Sequence, residues 1–389
     1  MTKREKQKWI ARWWMPVFGG VAACLGLILF VSVTGYSYAS VFGGAIAYDR
    51  TATSTPATSS VSSVSLPPTL DKTAYDKKLL DLAHLTPASA WYWAYLDGTT
   101  TPMTALGTAT TTTTKKPLWP VRRVYPEAGA LLPSNRIVAY YGNFYSTGMG
   151  VLGEYPEAQV EAMLASTTKQ WEVADPSTPV IPAIDYIAVT AQGSRGSDGM
   201  YRARMPDSQI QKALDMANQM HGILILDVQV GLSNVQTEIP LLKKWIEQPN
   251  VEIAIDPEFS MKDGTPPGKE IGTFNSSDIN WVANYMASIV DQDNLPPKIL
   301  VVHRFTEDMV TGAKNIAPLP QVQIVMDMDG WGFPAKKVNT YKQVIVPEPV
   351  QFTGFKLFYK ADKQAPAYRL MTPQEVLSLT PAPSFIQYQ

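Results

Sequence analysis

Three apolar runs in the second half of the chain each end in an acid, one spacer residue and a second polar residue. They read ILILDVQ, VEIAIDPE and VQIVMDMD, and their polar pairs are Asp227 with Gln229, Asp256 with Glu258, and Asp327 with Asp329. Side chains two residues apart on a strand point to the same face, so each pair should project together from the carboxyl end of its strand. Asp also follows strands simply because it favours turns and helix caps, which is the alternative interpretation.

The elements that must position these pairs alternate between strand-like and helix-like patterns from about residue 134 onward. Seven apolar runs predict strands at 136–144, 179–189, 222–230, 251–259, 298–305, 322–330 and 352–360. Amphipathic stretches with apolar spacing of three and four predict helices over 156–171, over 206–221, and from Ser233 and Ser277. Near-continuous apolar strands alternating with helices are typical of a parallel sheet covered on both faces.

We therefore predict a (β/α)8 TIM-type barrel over residues 134–389, with an open doubly wound sheet as the alternative. An eighth strand is expected near 368–371, before the helix-like PQEVLSL. The connections after the first, second and fourth strands are long and Gly-rich. Active sites of such barrels lie at the carboxyl ends of the strands, so the acids and the long loops should share one mouth.

Alternation along the predicted strands selects the residues that face the barrel interior. Asp256 and Glu258 share a face with Ala254, and Asp185 on the second strand joins the same ring. Closely packed carboxyls raise one another's pKa, so one can stay protonated while another is ionised. Glycoside hydrolysis needs this division of labour.

Two sets of candidate site residues follow. The candidate catalytic residues are Glu258, Asp256, Asp227 and Asp329. The candidate substrate-binding residues are Asp185, Tyr140, Tyr141, Gln229, His303, Asp327 and Trp331. The aromatic members could stack on sugar rings, or they could simply fill the core.

Two short segments resemble glycoside hydrolase family 18, the chitinase-like barrels. They are IVAYYG (137–142) and IDPE (255–258), and MDMD (326–329) resembles that family's Met-x-Tyr-Asp loosely. The family's fourth strand ends in Asp-x-x-Asp-x-Asp-x-Glu. The resemblance therefore implies that Glu258 is the proton donor and that Asp256 orients an acetamido group of the substrate. Val251 and Ala254 stand at the two earlier acid positions of that motif.

Other chemistries are less well supported by the motifs present. Cys24 is the only cysteine, and the chain has no HExxH, GxSxG or P-loop motif. No cofactor and no metal are predicted in the leading interpretation, which is a glycoside hydrolase. A non-catalytic barrel that binds a glycan or another partner is the second interpretation. A metal-dependent hydrolase that uses His303, Asp227, Asp256 and Asp329 is the third.

The first seventy residues predict a location for the barrel. A basic cytoplasmic tail (1–14) precedes an apolar stretch that is expected to be a transmembrane anchor (15–38). A Ser/Thr/Pro-rich stalk (39–70) and an irregular accessory region (71–133) follow. The alternatives to the anchor are a cleaved signal peptide and a lipoprotein that is modified at Cys24.

The basic flank predicts a single-pass protein of the cell membrane, with the N-terminus in the cytoplasm and the barrel outside it. The expected partners are the membrane and a glycan or cell-envelope polymer. The formal net charge is -1, and the second half has no extended basic stretch, so no nucleic-acid partner is predicted.

Overall fold

The structure is a computed structural model that describes residues 69–85, 118–121 and 124–389. The predicted cytoplasmic tail, the predicted anchor and nearly all of the predicted stalk lie outside these residues. Among the described residues, no helix is both long enough and apolar enough to cross a membrane.

Eight parallel strands close into a barrel, as predicted. They are β1 (Arg136–Gly142), β2 (Val180–Ala191), β3 (Ile223–Val228), β4 (Val251–Ile255), β5 (Lys298–Arg304), β6 (Val322–Met328), β7 (Phe352–Leu357) and β8 (Phe385–Tyr388). Each strand pairs with the next, and β8 pairs back with β1. Because the sheet closes on itself, the open doubly wound alternative is wrong.

The helices surround the barrel or close its ends. They are α1 (Lys72–Leu82), α2 (Val151–Glu154), α3 (Glu157–Ala174), α4 (Asp207–Gln219), α5 (Val235–Glu238), α6 (Lys243–Ile246), α7 (Ser276–Asp293), α8 (Pro334–Thr340) and α9 (Pro373–Leu377). Within the described residues, 3-10 turns lie at Ile239–Leu242, Pro257–Phe259, Glu307–Met309 and Ala313–Asn315, and a π-helical turn lies at Tyr341–Ile345. Short strands at Arg202–Arg204, Phe274–Asn275 and Val310–Thr311 lie in the loops.

The predicted position of the eighth strand is wrong. β8 is Phe385–Tyr388, which follows α9 rather than preceding it. Tyr368, inside the predicted segment, has a φ of 50°, in the left-handed region that a β-strand does not use. The true strand is only four residues long, so it gives too little alternation to be recognised in the sequence.

Two predicted helix starts also shift by a residue. Asn234 rather than Ser233 caps α5, and its side chain accepts a hydrogen bond from Thr237 N. Asn275 caps α7 in a capping box with Asp278, so that helix begins at Ser276 rather than Ser277.

The barrel separates two hydrophobic cores. Small and branched residues such as Ala139, Ala254 and Val301 fill the interior, while the opposite faces of the strands pack against the helices. Tyr75 and Leu79 of α1 join the interior core. This helix therefore packs against the amino-terminal end of the barrel, opposite the end at which the acids emerge.

Gly354 on β7 leaves room for the polar layer inside the barrel. A Cβ at this position would lie 2.4 Å from Asp327 Oδ1 and 2.9 Å from Phe385 Cδ1. We expect Gly354→Ala to lower the free energy of unfolding by about 1–3 kcal/mol, because the extra methyl forces buried neighbours apart. Urea denaturation measures this change. Gly148→Ala is the control, since its nearest neighbour would be 3.9 Å away; equal losses in the two variants would contradict the packing at β7.

Candidate functional site

A pocket of about 290 Å³ lies at the carboxyl ends of the strands. All eight strands, or the segments that follow them, contribute to its lining. Its charged residues are Glu154, Asp256, Glu258, Asp329, Lys356 and Lys360. Its aromatic residues are Tyr141, Phe259, Phe305, Trp331, Phe358 and Tyr359. The pocket thus combines carboxyl groups with apolar walls, which suits a polar ligand with apolar faces.

Beneath this pocket, His303 lies between two carboxylates at the centre of the barrel. Its Nε2 is 3.0 Å from Asp227 Oδ2 and its Nδ1 is 3.1 Å from Asp327 Oδ2, and all three side chains are fully buried. Burial opposes the charge on His303, but the two hydrogen bonds to carboxylates raise its pKa well above the usual value. His303 is therefore an imidazolium that donates from both ring nitrogens.

A second buried cation, Lys356, comes from the end of β7. Its Nζ donates to Asp329 Oδ2 at 3.2 Å and lies 3.9 Å from the centre of the Tyr141 ring. Burial lowers the pKa of Lys356, but Asp329 and Asp256 outweigh this effect and raise it. Its ammonium form is thus maintained at neutral pH, and a Schiff-base role for this lysine is not favoured.

Asp329 lines the pocket between these two cations. Its Oδ2 is also 3.6 Å from His303 Nδ1. The pKa of Asp329 is raised, because burial outweighs the opposing effects of Lys356 and His303. The two cation contacts favour an ionised carboxylate at this position.

Asp256 and Glu258 differ from Asp329 because neither forms an ion pair among the described residues. Asp256 follows β4 and caps a 3-10 turn, its Oδ1 accepting from Glu258 N at 3.1 Å. Burial, with a further contribution from Asp227, raises the pKa of Asp256 to about 7. Burial, followed by Asp256 and Asp329, raises the pKa of Glu258 well above the usual value. The raised pKa of Glu258 favours its protonated form at neutral pH.

Asp185 on β2 has a further buried carboxyl group. Gln387 Nε2 donates to its Oδ2, while Asp185 Oδ1 and Gln387 Oε1 have no hydrogen-bond partner. Burial and the nearby Asp227 raise the pKa of Asp185 to about 8. Both unpaired atoms are acceptors when Asp185 is ionised, so a proton on its carboxyl group adds a donor where unpaired acceptors are buried.

The structure brings six of the predicted site residues to the pocket lining: Tyr141, Gln229, Asp256, Glu258, Asp329 and Trp331. Four others form the buried layer below it: Asp185, Asp227, His303 and Asp327. The structure therefore places these four side chains below the pocket lining. They face inward as alternation requires, but one level too deep to line the pocket.

Tyr140 also lies outside the pocket lining. It lies on the outer face of β1, where its hydroxyl is 2.8 Å from both Thr167 Oγ1 and Tyr359 Oη. Adjacent residues of a strand point to opposite faces, so Tyr140 and Tyr141 cannot both line the pocket.

Lys356, Thr190 and the loop residues Phe358 and Tyr359 line the pocket but were not selected from the sequence. Alternation with Phe352 would have placed Lys356 inside the barrel. Thr190 depends on a shift of register between Ile187 and Val189 of β2, which reverses the face that later residues present. The sequence gives no comparable signal for the loop residues.

Comparisons with known proteins place the chain in no family. No family model matches it, and no curated protein does. Among solved structures, it is similar to a ruminal GH26 endo-beta-1,4-mannanase, with 9% identity and a TM-score of 0.30, over 66% of this chain and 59% of that one. It is also similar to GH26C from a Muricauda species, with 10% identity and a TM-score of 0.29, over 68% and 71% of the two chains.

Sequence identities and TM-scores this low do not support a conclusion about fold or function. The class of the protein rests instead on the side chains and strands described above. It is a (β/α)8 barrel with a pocket rich in carboxyl groups at the carboxyl ends of its strands.

Replacing Asp185 by Asn tests the buried proton. Between the ordinary pKa of an Asp and about 8, the folded protein keeps a proton that the unfolded chain has lost, so its free energy of unfolding falls as pH rises. Asp185→Asn removes this dependence. We expect the variant to gain on the order of 4 kcal/mol relative to wild type between pH 5 and pH 8.

Guanidinium denaturation at the two pH values measures this gain. Asp215→Asn, on the exposed face of α4, is the control and removes the same charge. A parallel pH dependence in Asp185→Asn and wild type would contradict a protonated Asp185.

Proposed function

We propose that the barrel is a glycoside hydrolase in which Glu258 is the general acid. Glu258 carries this proposal, because it lines the pocket, has a raised pKa and has no cation partner among the described residues. A proton donor at neutral pH must keep its proton until the reaction, and burial beside Asp256 provides that condition. The partial motif Asp256-x-Glu258 of the chitinase-like barrels is consistent with the same role.

In the proposed reaction, Glu258 donates its proton to the glycosidic oxygen as the bond from that oxygen to the anomeric carbon breaks. Positive charge then develops on the sugar ring. Asp329 is the ionised carboxylate of the pocket and stabilises this charge electrostatically. Water supplies the hydroxyl group of the new reducing end, and its proton restores Glu258.

The buried layer would position this pair rather than contact the substrate. Lys356 orients Asp329 through the 3.2 Å hydrogen bond. His303 lies between Asp227 and Asp327 in the buried layer and hydrogen-bonds to both. Asp227, which we expected to be catalytic, is therefore proposed to act only through His303.

The proposed location is the outer side of the cytoplasmic membrane. It rests on the basic residues before position 14 and the apolar stretch 15–38. The substrate class that fits this location is a cell-envelope or environmental glycan.

A non-catalytic glycan-binding barrel is the second candidate. One observation favours it: Asp227, Asp327 and Asp329 are all hydrogen-bonded to buried cations. Only Asp256 and Glu258 then remain for acid–base chemistry.

The third candidate, a metal-dependent hydrolase, is less well supported by the donor set. Both ring nitrogens of His303 are occupied by carboxylates, so its imidazolium offers no lone pair. In the part of the chain that the structure describes, no group of three or more His, Cys, Asp or Glu side chains is arranged to hold a metal ion.

Glu258→Gln separates the first two candidates. The amide keeps the shape of the carboxyl but cannot donate a proton in the same way, so hydrolysis should fall by about 10²–10⁴-fold. The measurement is release of reducing sugar from a panel of glycans. Glu172→Gln on the surface of α3 is the matched control and should retain wild-type rates. Equal activity of Glu258→Gln and wild type on every hydrolysed glycan would rule out the assignment.

The pH profile of hydrolytic activity tests whether Asp256 raises the pKa of Glu258. Activity requires protonated Glu258, so it should persist through neutral pH and fall on the alkaline side, as Glu258 loses its proton. Asp256 raises the pKa of Glu258. Asp256→Asn should therefore move the alkaline limb of kcat/KM to lower pH, whatever its effect on the maximal rate. Asp215→Asn should leave the limb in place, and an unmoved limb in Asp256→Asn would contradict the coupling.

A further inference from the structure

The loops around the pocket are joined to one another along the side that follows β2, β3 and β4. Leu232 N donates to Met200 O at 2.8 Å, which links the loops after β3 and β2. Met261 N donates to Gly231 O at 3.0 Å, which links the loops after β4 and β3. Gly231 has a φ of 61°, and a Cβ there would lie 2.5 Å from Met200 O, so this close approach requires a glycine. The backbones of these three loops are therefore in direct hydrogen-bond contact at these points.

Backbone contacts also join the loops that follow β4, β5 and β6. The loops after β4 and β5 form a two-stranded sheet from Phe274–Asn275 and Val310–Thr311. Asp329 N donates to Arg304 O at 3.1 Å, which holds the ends of β6 and β5 together. Between β1 and β2, Asn143 Nδ2 donates to Ile187 O at 3.0 Å, which joins the segment after β1 to β2.

A buried ion pair connects the loops after β6 and β7. Lys337 Nζ lies 3.1 Å from Asp362 Oδ2 and donates to Gly330 O at 2.6 Å. Asp362 Oδ1 accepts from Gly332 N at 2.8 Å. Both charged side chains are buried, so the segment that carries Trp331 is fixed against the loop that carries Tyr359.

The last connection is an ion pair at the rim of the pocket. Lys360 Nζ, after β7, lies 2.7 Å from Glu154 Oε1, after β1, and both residues line the pocket. β7 and β1 are the two neighbours of β8 in the barrel. The contacts therefore run from strand to strand around the whole mouth.

The bottom of the pocket is closed by the buried layer of Asp227, His303 and Asp327, none of which is exposed. The volume of about 290 Å³ is at the lower limit of the roughly 300–1,000 Å³ found for small-molecule pockets. A polymer bound through its middle must leave a site in two directions. A pocket closed below and ringed by joined loops offers one direction only.

We propose that the pocket binds the terminal sugar of a glycan chain, so that the enzyme removes units from a chain end and does not cut internally. This inference rests on the proposed glycoside hydrolase function and specifies its substrate as a chain end. Glu154 and Lys360 are assigned as the residues that close the rim on the β8 side.

The test uses the purified full chain and linear hexasaccharides that carry a fluorescent aminobenzamide label at the reducing end. Each hexasaccharide of the panel has one sugar and one linkage. Chromatography of the earliest products should show a single labelled fragment length, because one end is always the point of attack. Several labelled lengths at the earliest times would overturn the proposal.

Lys360→Gln tests the ring itself, and Lys363→Gln on the same loop is the control, because Lys360 forms the ion pair with Glu154. Opening the rim should raise the share of internal fragments severalfold in Lys360→Gln and leave it unchanged in Lys363→Gln. Single-length products from Lys360→Gln would show that this ion pair does not restrict the chain, and the assignment of the rim would fail.

A binding measurement separates this inference from the proposed function. Absence of hydrolysis across the panel would contradict the proposed function alone. Binding of the same glycans at several chain lengths, followed by tryptophan fluorescence of Glu258→Gln, then decides the inference. End binding predicts an affinity per chain that changes by less than about twofold with length. An affinity per chain that rises steadily with length, or no binding of any glycan, would overturn it.

Discussion

The buried imidazolium of His303, hydrogen-bonded on both sides to carboxylates, is the interaction on which the rest of the site depends. Three charged groups without solvent contact are tolerated only because each has its partner, and removal of one would leave the others unpaired in a medium of low polarity. Because His303 binds Asp227 and Asp327, these acids are not available to a ligand. The chemistry of the pocket is left to the acids one level higher.

Those higher acids differ in their partners, and this difference assigns their roles. Asp329 lies beside Lys356 and is favoured as a carboxylate. Glu258 forms no ion pair in the described part of the chain, and burial with Asp256 and Asp329 raises its pKa more than Lys356 and His303 lower it, which favours its protonated form. Burial raises the pKa of Asp256, Glu258 and Asp329, and the two cations Lys356 and His303 oppose this effect. A proton donor and an anion are thus produced by the same ring of side chains.

The loops impose a separate constraint, which concerns access rather than charge. Hydrogen bonds, a short sheet and two ion pairs, Lys337 with Asp362 and Lys360 with Glu154, join each loop to its neighbour. A mouth formed in this way keeps the aromatic walls at fixed positions and admits a ligand from one side. The buried layer determines what the pocket can do chemically, and the joined loops determine the shape of molecule on which it can act.

The amino-acid pattern predicts a parallel α/β fold, seven of its strands and the face on which most of the polar residues lie, because apolar runs and two-residue alternation are local properties of the chain. Closure into a barrel is shown by the pairing of β8 with β1. Alternation gives the face of a residue but not its height in the barrel. Height follows from the register between strands, which pairs Asp227 with Ala254 and His303 with Asp327. Tertiary structure alone therefore decided that Asp227 is buried while Asp256 reaches the pocket. It also decided that Lys356 meets Asp329 and where β8 lies, since these contacts join segments that are distant in the sequence.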